Sequence, residues 1–314
     1  MASTNPNVVV VIGVGCIGLA IARRIANGRK LLIATRSPTT LPPPTEPLRN
    51  PDLEAAESLR SDGHDVSTHE VDIASYSSVQ DFAQAAHALG NLNAIVLTAG
   101  VSPEQASSAQ QVYDVNLVGT VNVIDAFLPF VGAGSSFVCM ASLASNFLPP
   151  SPTLSKHIAT APRESLLENA ELKAYNDTAA AYVLAKQGNK LRVQAMARAY
   201  GLKGARINTV SPGLIMSNML DMAISMRGDG VKQAAVDSGL RRLGVVEDIA
   251  NVVEFLVGYG ASYVTGTDIL VDGGTLAGTR WGTGEAAKAM HAAAEKKREA
   301  VENSQEISEE RSVN

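Results

Sequence analysis

The chain of 314 residues predicts an α/β fold, a doubly wound parallel sheet with helices on both faces in a single domain. Three observations predict it. Short, continuously apolar runs alternate with segments of helical apolar spacing as far as residue 274, and such runs suit strands buried on both faces of a parallel sheet. The alternation shows no tandem sequence repeat, so it reads as a succession of βα units rather than a solenoid. Hydrophobic residues make up 46% of the chain and charged residues 18%, a balance suited to one sizeable core.

The first element, NVVVVIG at 7–13, is a strand with no polar face. A helix follows at 17–28, with Ile17, Ala20, Ile21 and Ile25 on one stripe and Gly28 as its stop. Strand KLLIAT at 30–35 leads into a loop at 37–51 whose prolines exclude a helix. Helix 52–63, strand 65–73, helix 78–90 and strand 93–100 continue the rhythm. A helix at 115–130 and strand 135–142 come next, then a helix at 177–197, strand 204–213, helix 246–258 and a last strand at 266–274. Two stretches break the pattern. Residues 146–178 form an insertion expected to loop out, with Leu166 and Leu167 on a short helix from Arg163. Beyond the 1–282 domain, the charged tail 283–314 reads as a solvated helix fraying into disorder.

A net charge of −5 argues against nucleic acid or an anionic membrane surface as the main partner. Cys16 and Cys139 lie far apart in apolar segments and read as reduced, packed thiols, not a disulfide or a metal site. No leader-like start and no apolar run of membrane-spanning length are present, so a soluble cytoplasmic protein is expected.

Gly13, Gly15 and Gly18 stand where the first strand turns into the first helix, in a G-x-G-x-x-G pattern with the right context. There Gly13 permits the tight turn, Gly15 lets the backbone approach a pyrophosphate, and Gly18 allows helix and strand to pack closely. The helix N-terminus offers free N–H groups and a positive dipole end to the phosphates. The second strand ends in Ala34-Thr35-Arg36-Ser37, with no acid to hold an adenosine 2′-hydroxyl. Arg36 can bind a 2′-phosphate, with Thr35 or Ser37 adding hydrogen bonds, so the pattern points to NADP(H) rather than NAD.

Tyr182 and Lys186 are four residues apart in a helix-forming run, which puts phenol and ammonium on one face. A nearby ammonium favours a phenolate, so the pair is a candidate acid/base device. Taken alone it is weak, because an exposed helix face carries such pairs routinely.

Together these residues resemble the short-chain dehydrogenase/reductase family over about residues 7–275, which implies a Rossmann-like domain. The resemblance assigns the family's catalytic Asn, Ser, Tyr and Lys to Asn116, Ser142, Tyr182 and Lys186. It implies cofactor contacts from Gly13, Gly15, Cys16, Ile17 and Gly18, from Thr35, Arg36 and Ser37, and from Asp72 and Ile73 beside the adenine. It adds Thr98-Ala99-Gly100 in place of the family's N-A-G turn, and Pro212, Gly213, Ile215 and Ser217 in the loop that holds the nicotinamide carboxamide. Asp272-Gly273-Gly274 matches the closing D-G-G. The chain departs from the family in two places. Ile12 and Cys16 stand where its glycine motif has glycines, and Ser142 and Tyr182 are forty positions apart where about a dozen is usual.

The resemblance implies reduction of a carbonyl by NADPH. Ser142 would hydrogen-bond the oxygen, Tyr182 would supply the proton, Lys186 would hold the nicotinamide ribose, and Asn116 would anchor a relay water. Methionines 216, 219, 222 and 226 in a substrate lid at 212–240, with the 146–178 insertion as another wall, suggest a fairly apolar ketone or alcohol. A homodimer or homotetramer is implied, without a pattern that chooses between them. Two other readings stand beside this one: an NADP-binding sensor or scaffold without turnover, and an epimerase or dehydratase of the same family.

Overall fold

A computed structural model describes residues 6–35, 51–147, 149–227, 230–284 and 288. The expected proline loop and nearly all of the tail therefore lie outside the described residues. In chain order the elements are β1 (Asn7–Ile12), α1 (Cys16–Ile25), β2 (Lys30–Thr35), α2 (Pro51–Ser61), β3 (Asp65–Glu70), α3 (Tyr76–Leu89) and β4 (Asn91–Leu97). Then come α4 (Ala109–Val112), α5 (Gly119–Phe127), β5 (Ser136–Met140), α6 (Pro152–Thr160), α7 (Ala170–Ala174), α8 (Thr178–Gly201) and β6 (Arg206–Pro212). The chain closes with α9 (Asn218–Arg227), α10 (Gly230–Val236), α11 (Val246–Val257), β7 (Asp268–Val271) and α12 (Thr275–Trp281).

These elements fall into two compact units, Met1–Pro212 with Val245–Val271, and Gly213–Gly244 with Asp272–Asn314. The larger holds a seven-stranded sheet in the order β3-β2-β1-β4-β5-β6-β7, parallel throughout. Both faces are covered, as the unbroken apolar strands foretold. Val8, Val10, Ile12, Ile95, Phe137 and Ile207 pack against α3, α5 and α8 through Phe82, Phe127, Val193 and Tyr200. The residues between them, such as Val9, Val11, Leu31, Ile33 and Val96, are equally inaccessible on the other side. There α1 runs along α11, and Arg24 meets Glu254 at 2.6 Å. The order reverses between β1 and β4, so the crevice at their C-terminal ends is where such a sheet binds ligands.

Several boundaries differ from expectation for local reasons. β3 stops at Glu70 rather than 73, because the Asp72 carboxylate accepts from Ala74 N at 2.9 Å and turns the chain into α3. The helix expected at 115–130 starts earlier, at a Ser108 cap on Gln111 N, and is interrupted by a π-helical turn at Tyr113–Val118. It ends at Phe127, ahead of Pro129, as a following proline demands. β7 is shorter than the expected 266–274, for Gly266, Gly273 and Gly274 all sit at positive φ.

The insertion does not loop out. It folds into a 3-10 turn at Leu143–Asn146, α6, a second 3-10 turn at Arg163–Glu168 and α7. Leu154, Ile158, Leu166 and Leu172 form a core with Leu117, Val121, Leu184 and Ala185. Closeness matters here: a Cβ on Gly188 of α8 would lie 2.5 Å from Leu117 Cδ1 and 2.8 Å from Ile158 Cγ2. Arg192, almost fully buried, donates to Ala161 O at 2.6 Å and ties the insertion to α8.

In the smaller unit, Asp272 accepts from Gly274 N at 2.9 Å and Leu276 N at 2.7 Å, starting α12. Among the described residues no helix is long and apolar enough to cross a membrane.

Candidate active site

The glycine turn is tight at two of its three glycines. Gly13 sits at φ +97°, and a side chain there would run into Ala99 N at 2.5 Å. A Cβ on Gly18 would overlap the Gly13 carbonyl oxygen and lie 2.8 Å from Thr98 Oγ1. Gly15 is different. It caps α1 with no side-chain hydrogen bond, and a Cβ built on it meets nothing within 4 Å. Open space before a helix N-terminus fits a pyrophosphate, the group this turn type accommodates. Cys16, the first residue of α1, is exposed, which corrects its reading as a packed thiol, and partial burial still raises its pKa. Cys139 is buried, and burial pushes its thiol up to about 11.

Ile17 is partly covered and Gly18 buried. Thr98 completes the turn: its hydroxyl donates to the carbonyls of Ile12 and Gly13, and Thr98 N and Ala99 N both donate to Ile12 O at 2.8 Å. After β3, Asp72 is exposed and Ile73 buried. Thr35 is buried, with its hydroxyl donating to His69 O at 3.2 Å. Arg36 and Ser37, which carry the argument for a 2′-phosphate, lie outside the described residues.

The polar centre is assembled by α8, the π turn and the ends of β4 and β5. Asp177, five residues before Tyr182, caps α8 by accepting from Ala180 N at 2.8 Å and fixes where the helix begins. Tyr182 and Lys186 then share a face, with Nζ 5.8 Å from the Tyr182 ring centroid. Lys186 is 5% exposed, and its ammonium donates to Met140 O at 3.1 Å, two residues before Ser142. Ser142 begins the 3-10 turn, its hydroxyl accepting from Ala144 N at 3.2 Å. Asn116 projects from the π turn and holds Val101 by both edges, accepting from N at 2.9 Å and donating to O at 2.8 Å. Gly100 closes the gap: a Cβ there would lie 2.8 Å from Asn116 Oδ1 and 3.4 Å from Lys186 Nζ.

Asn116, Gly100, Lys186 and the end of β5 thus meet around one point, with Tyr182 one turn away. In the smaller unit, Gly213 approaches Asp272 so closely that a Cβ would be 2.5 Å from its Cα, and Ile215 pairs with Gly244. Ser217 caps α9 by accepting from Leu220 N at 3.2 Å. Pro212 ends β6 in the larger unit. Sequence reasoning missed the Met140 carbonyl, which has no side-chain signal.

The chain is similar to known proteins. The short chain dehydrogenase family pattern matches residues 7–153, and one described as enoyl-(acyl carrier protein) reductase matches residues 166–275. The break between them falls inside the insertion. The short-chain dehydrogenase/reductase bsc3 of Alternaria brassicicola is 34% identical over 277 residues, 87% of this chain and 97% of that protein. A 3-alpha-hydroxysteroid dehydrogenase/carbonyl reductase of Comamonas testosteroni is 30% identical over 189 residues, 58% of this chain and 72% of that protein. A short-chain type dehydrogenase/reductase structure from Mycobacterium ulcerans shares the fold, with a TM-score of 0.66 at 24% identity over 88% of this chain and 91% of that one. The matches define an oxidoreductase class built on this fold. The chain belongs to the short-chain dehydrogenase/reductase family, which works with a nicotinamide cofactor.

Proposed function

We propose that the protein is an NADP(H)-dependent carbonyl reductase acting on a fairly apolar ketone or the corresponding alcohol. The observation that carries this reading is the buried Lys186 ammonium, held at Met140 O on the helix face that bears Tyr182. The glycine turn, with open space at Gly15, would hold the pyrophosphate, and Asp72 with Ile73 would receive the adenine. When bound, a reduced nicotinamide supplies hydride to the carbonyl carbon.

The protein's own residues handle the oxygen. Tyr182 gives it a proton as negative charge develops, and the Ser142 hydroxyl, which accepts from Ala144 N, keeps its own proton to donate to the same atom. Lys186 places a positive charge where it stabilises the phenol oxygen as the proton leaves. Asn116, by holding Val101, keeps Gly100 against Lys186. Preference for NADP(H) rests on Arg36 and on the lack of an acid at the end of β2. An apolar substrate is supported by the exposed methionines 216, 219, 222 and 226 of the segment carrying α9, and by half-exposed Phe147 after the Ser142 turn. We place the protein in the cytoplasm, and its assembly as a homodimer or homotetramer would be tested by sedimentation of the purified chain.

A screen of aryl and alicyclic ketones, run with NADPH and NADH in parallel, tests the assignment. Tyr182→Phe should bind NADPH nearly as the unaltered protein does and turn over nothing. Substantial turnover in that variant, or no cofactor oxidation with any ketone by the unaltered protein, overturns it. Arg36→Ala should weaken NADPH binding far more than NADH binding.

A further inference from the structure

A mostly buried ion pair joins α8 to β7. Lys190 Nζ lies 3.4 Å from Asp268 Oδ2, with the two side chains 17% and 14% exposed. The aspartate is held on its other side by β6, accepting from Thr209 Oγ1 at 2.7 Å and from Ser211 Oγ at 2.9 Å. Lys190 also reaches in a second direction, donating to Asn146 Oδ1 at 3.2 Å. Asn146 Nδ2 in turn donates to Leu143 O at 3.0 Å. The amide is therefore oriented at both ends, oxygen to the cation and nitrogen to the turn that Ser142 begins.

We propose that Lys190 is a positioning residue that, anchored on Asp268, clamps the Ser142 turn through Asn146 and holds the serine hydroxyl in register with Tyr182. The proposal rests on the reading of Ser142 as a donor to the carbonyl oxygen. Lys190 follows Tyr182 by eight residues and Lys186 by four, so all three share one face of α8. The helix that presents the phenol thus also grips the turn that presents the hydroxyl. Chain connectivity cannot do this, because forty positions separate Ser142 from Tyr182. An ion pair is a costly joint where apolar residues would pack as well, and what it adds is direction. Two hydroxyls and two amide hydrogen bonds set that direction here. Small errors in the placing of a reacting group cost rate steeply.

The test is a double-mutant cycle in the full chain, with NADPH and whichever ketone of the screen is turned over fastest. Lys190→Met should lower kcat about 100-fold while KM and NADPH binding stay within about threefold. Asn146→Ala leaves the Lys190–Asp268 pair in place, so it should fold like the unaltered protein and still show a loss of the same order. It carries the test if Lys190→Met does not fold. In a Ser142→Ala background either change should cost less than about threefold more, because the group being positioned has gone. A loss that persists undiminished in that background overturns the clamp alone, as does unaltered kcat in both variants. Full turnover by Ser142→Ala, or no turnover of any ketone by the unaltered protein, overturns the reading of Ser142 and the clamp with it.

Discussion

Gly15 and Gly18 stand three residues apart in one turn and leave opposite room for a side chain. Gly18→Ala forces a methyl onto the Gly13 carbonyl and the Thr98 hydroxyl, both backbone-anchored, so the variant should fail to accumulate or melt many degrees lower. Gly15→Ala meets nothing within 4 Å and should melt close to the unaltered protein, yet bind NADPH more weakly, because the methyl takes up space kept for the phosphates. Thermal melts with a fluorescence titration separate the two outcomes. The neighbouring thiol gives an independent reading of the same place. Iodoacetamide should label Cys16 and spare buried Cys139, and saturating NADPH should slow the labelling, measurable by intact mass. At this scale Gly18 was legible, because the atom that crowds it, the Gly13 carbonyl oxygen, lies only five positions back, whereas the crowding at Gly13 comes from Ala99, far along the chain. Lys190 was not legible. Its partner Asp268 lies 78 positions on, and no local pattern announces so distant a pairing.

Among the elements, α8 shows why a helix can be legible in place and opaque in packing. Its cap at Asp177 and its alanine-rich run mark where it starts, but its apolar residues form no single stripe. The reason is burial on both sides, with β5 and β6 on one and α6 on the other. The insertion hides its own packing in the same way. Leu154 and Ile158 have the i, i+4 spacing of a buried face, but prolines at 149, 150, 152 and 162 surround them and suggest an extended loop. In the fold, Pro152 is simply the first helical residue, where it is tolerated, behind a Ser151 cap held by Glu171. Ile158→Ala should therefore destabilise by about 2–5 kcal/mol in urea unfolding, as for any buried aliphatic residue. A loop swinging free would lose almost nothing. The π turn at Asn116 was also out of reach, since the weak helix formers of DVNLVGT loosen a helix without specifying a π turn.

For the molecule as a whole, the fold was readable because the same signal recurs in nearly every strand and each occurrence supports the next. Deep burial has a price in alkali. The Cys139 thiol is held up at about 11, so its contribution to stability is complete below the ordinary thiol range and is lost as pH rises through that range toward 11. Between pH 8 and 11 the unaltered protein should lose about 2–3 kcal/mol more than Cys139→Val, by urea unfolding at each pH.

The placing of β1 beside β4 also governs the order in which the molecule is made. Thr98 reaches back 85 positions to lock the Gly13 carbonyl, and the two strands that bring them together are separated by α1 and the whole of the second and third βα units. Closing so long a loop comes late in a folding reaction dominated by non-local pairing. Competence to bind the dinucleotide should therefore lag behind the recovery of helical signal during refolding. A nascent chain emerging during synthesis would hold the complete glycine motif long before it held a cofactor site.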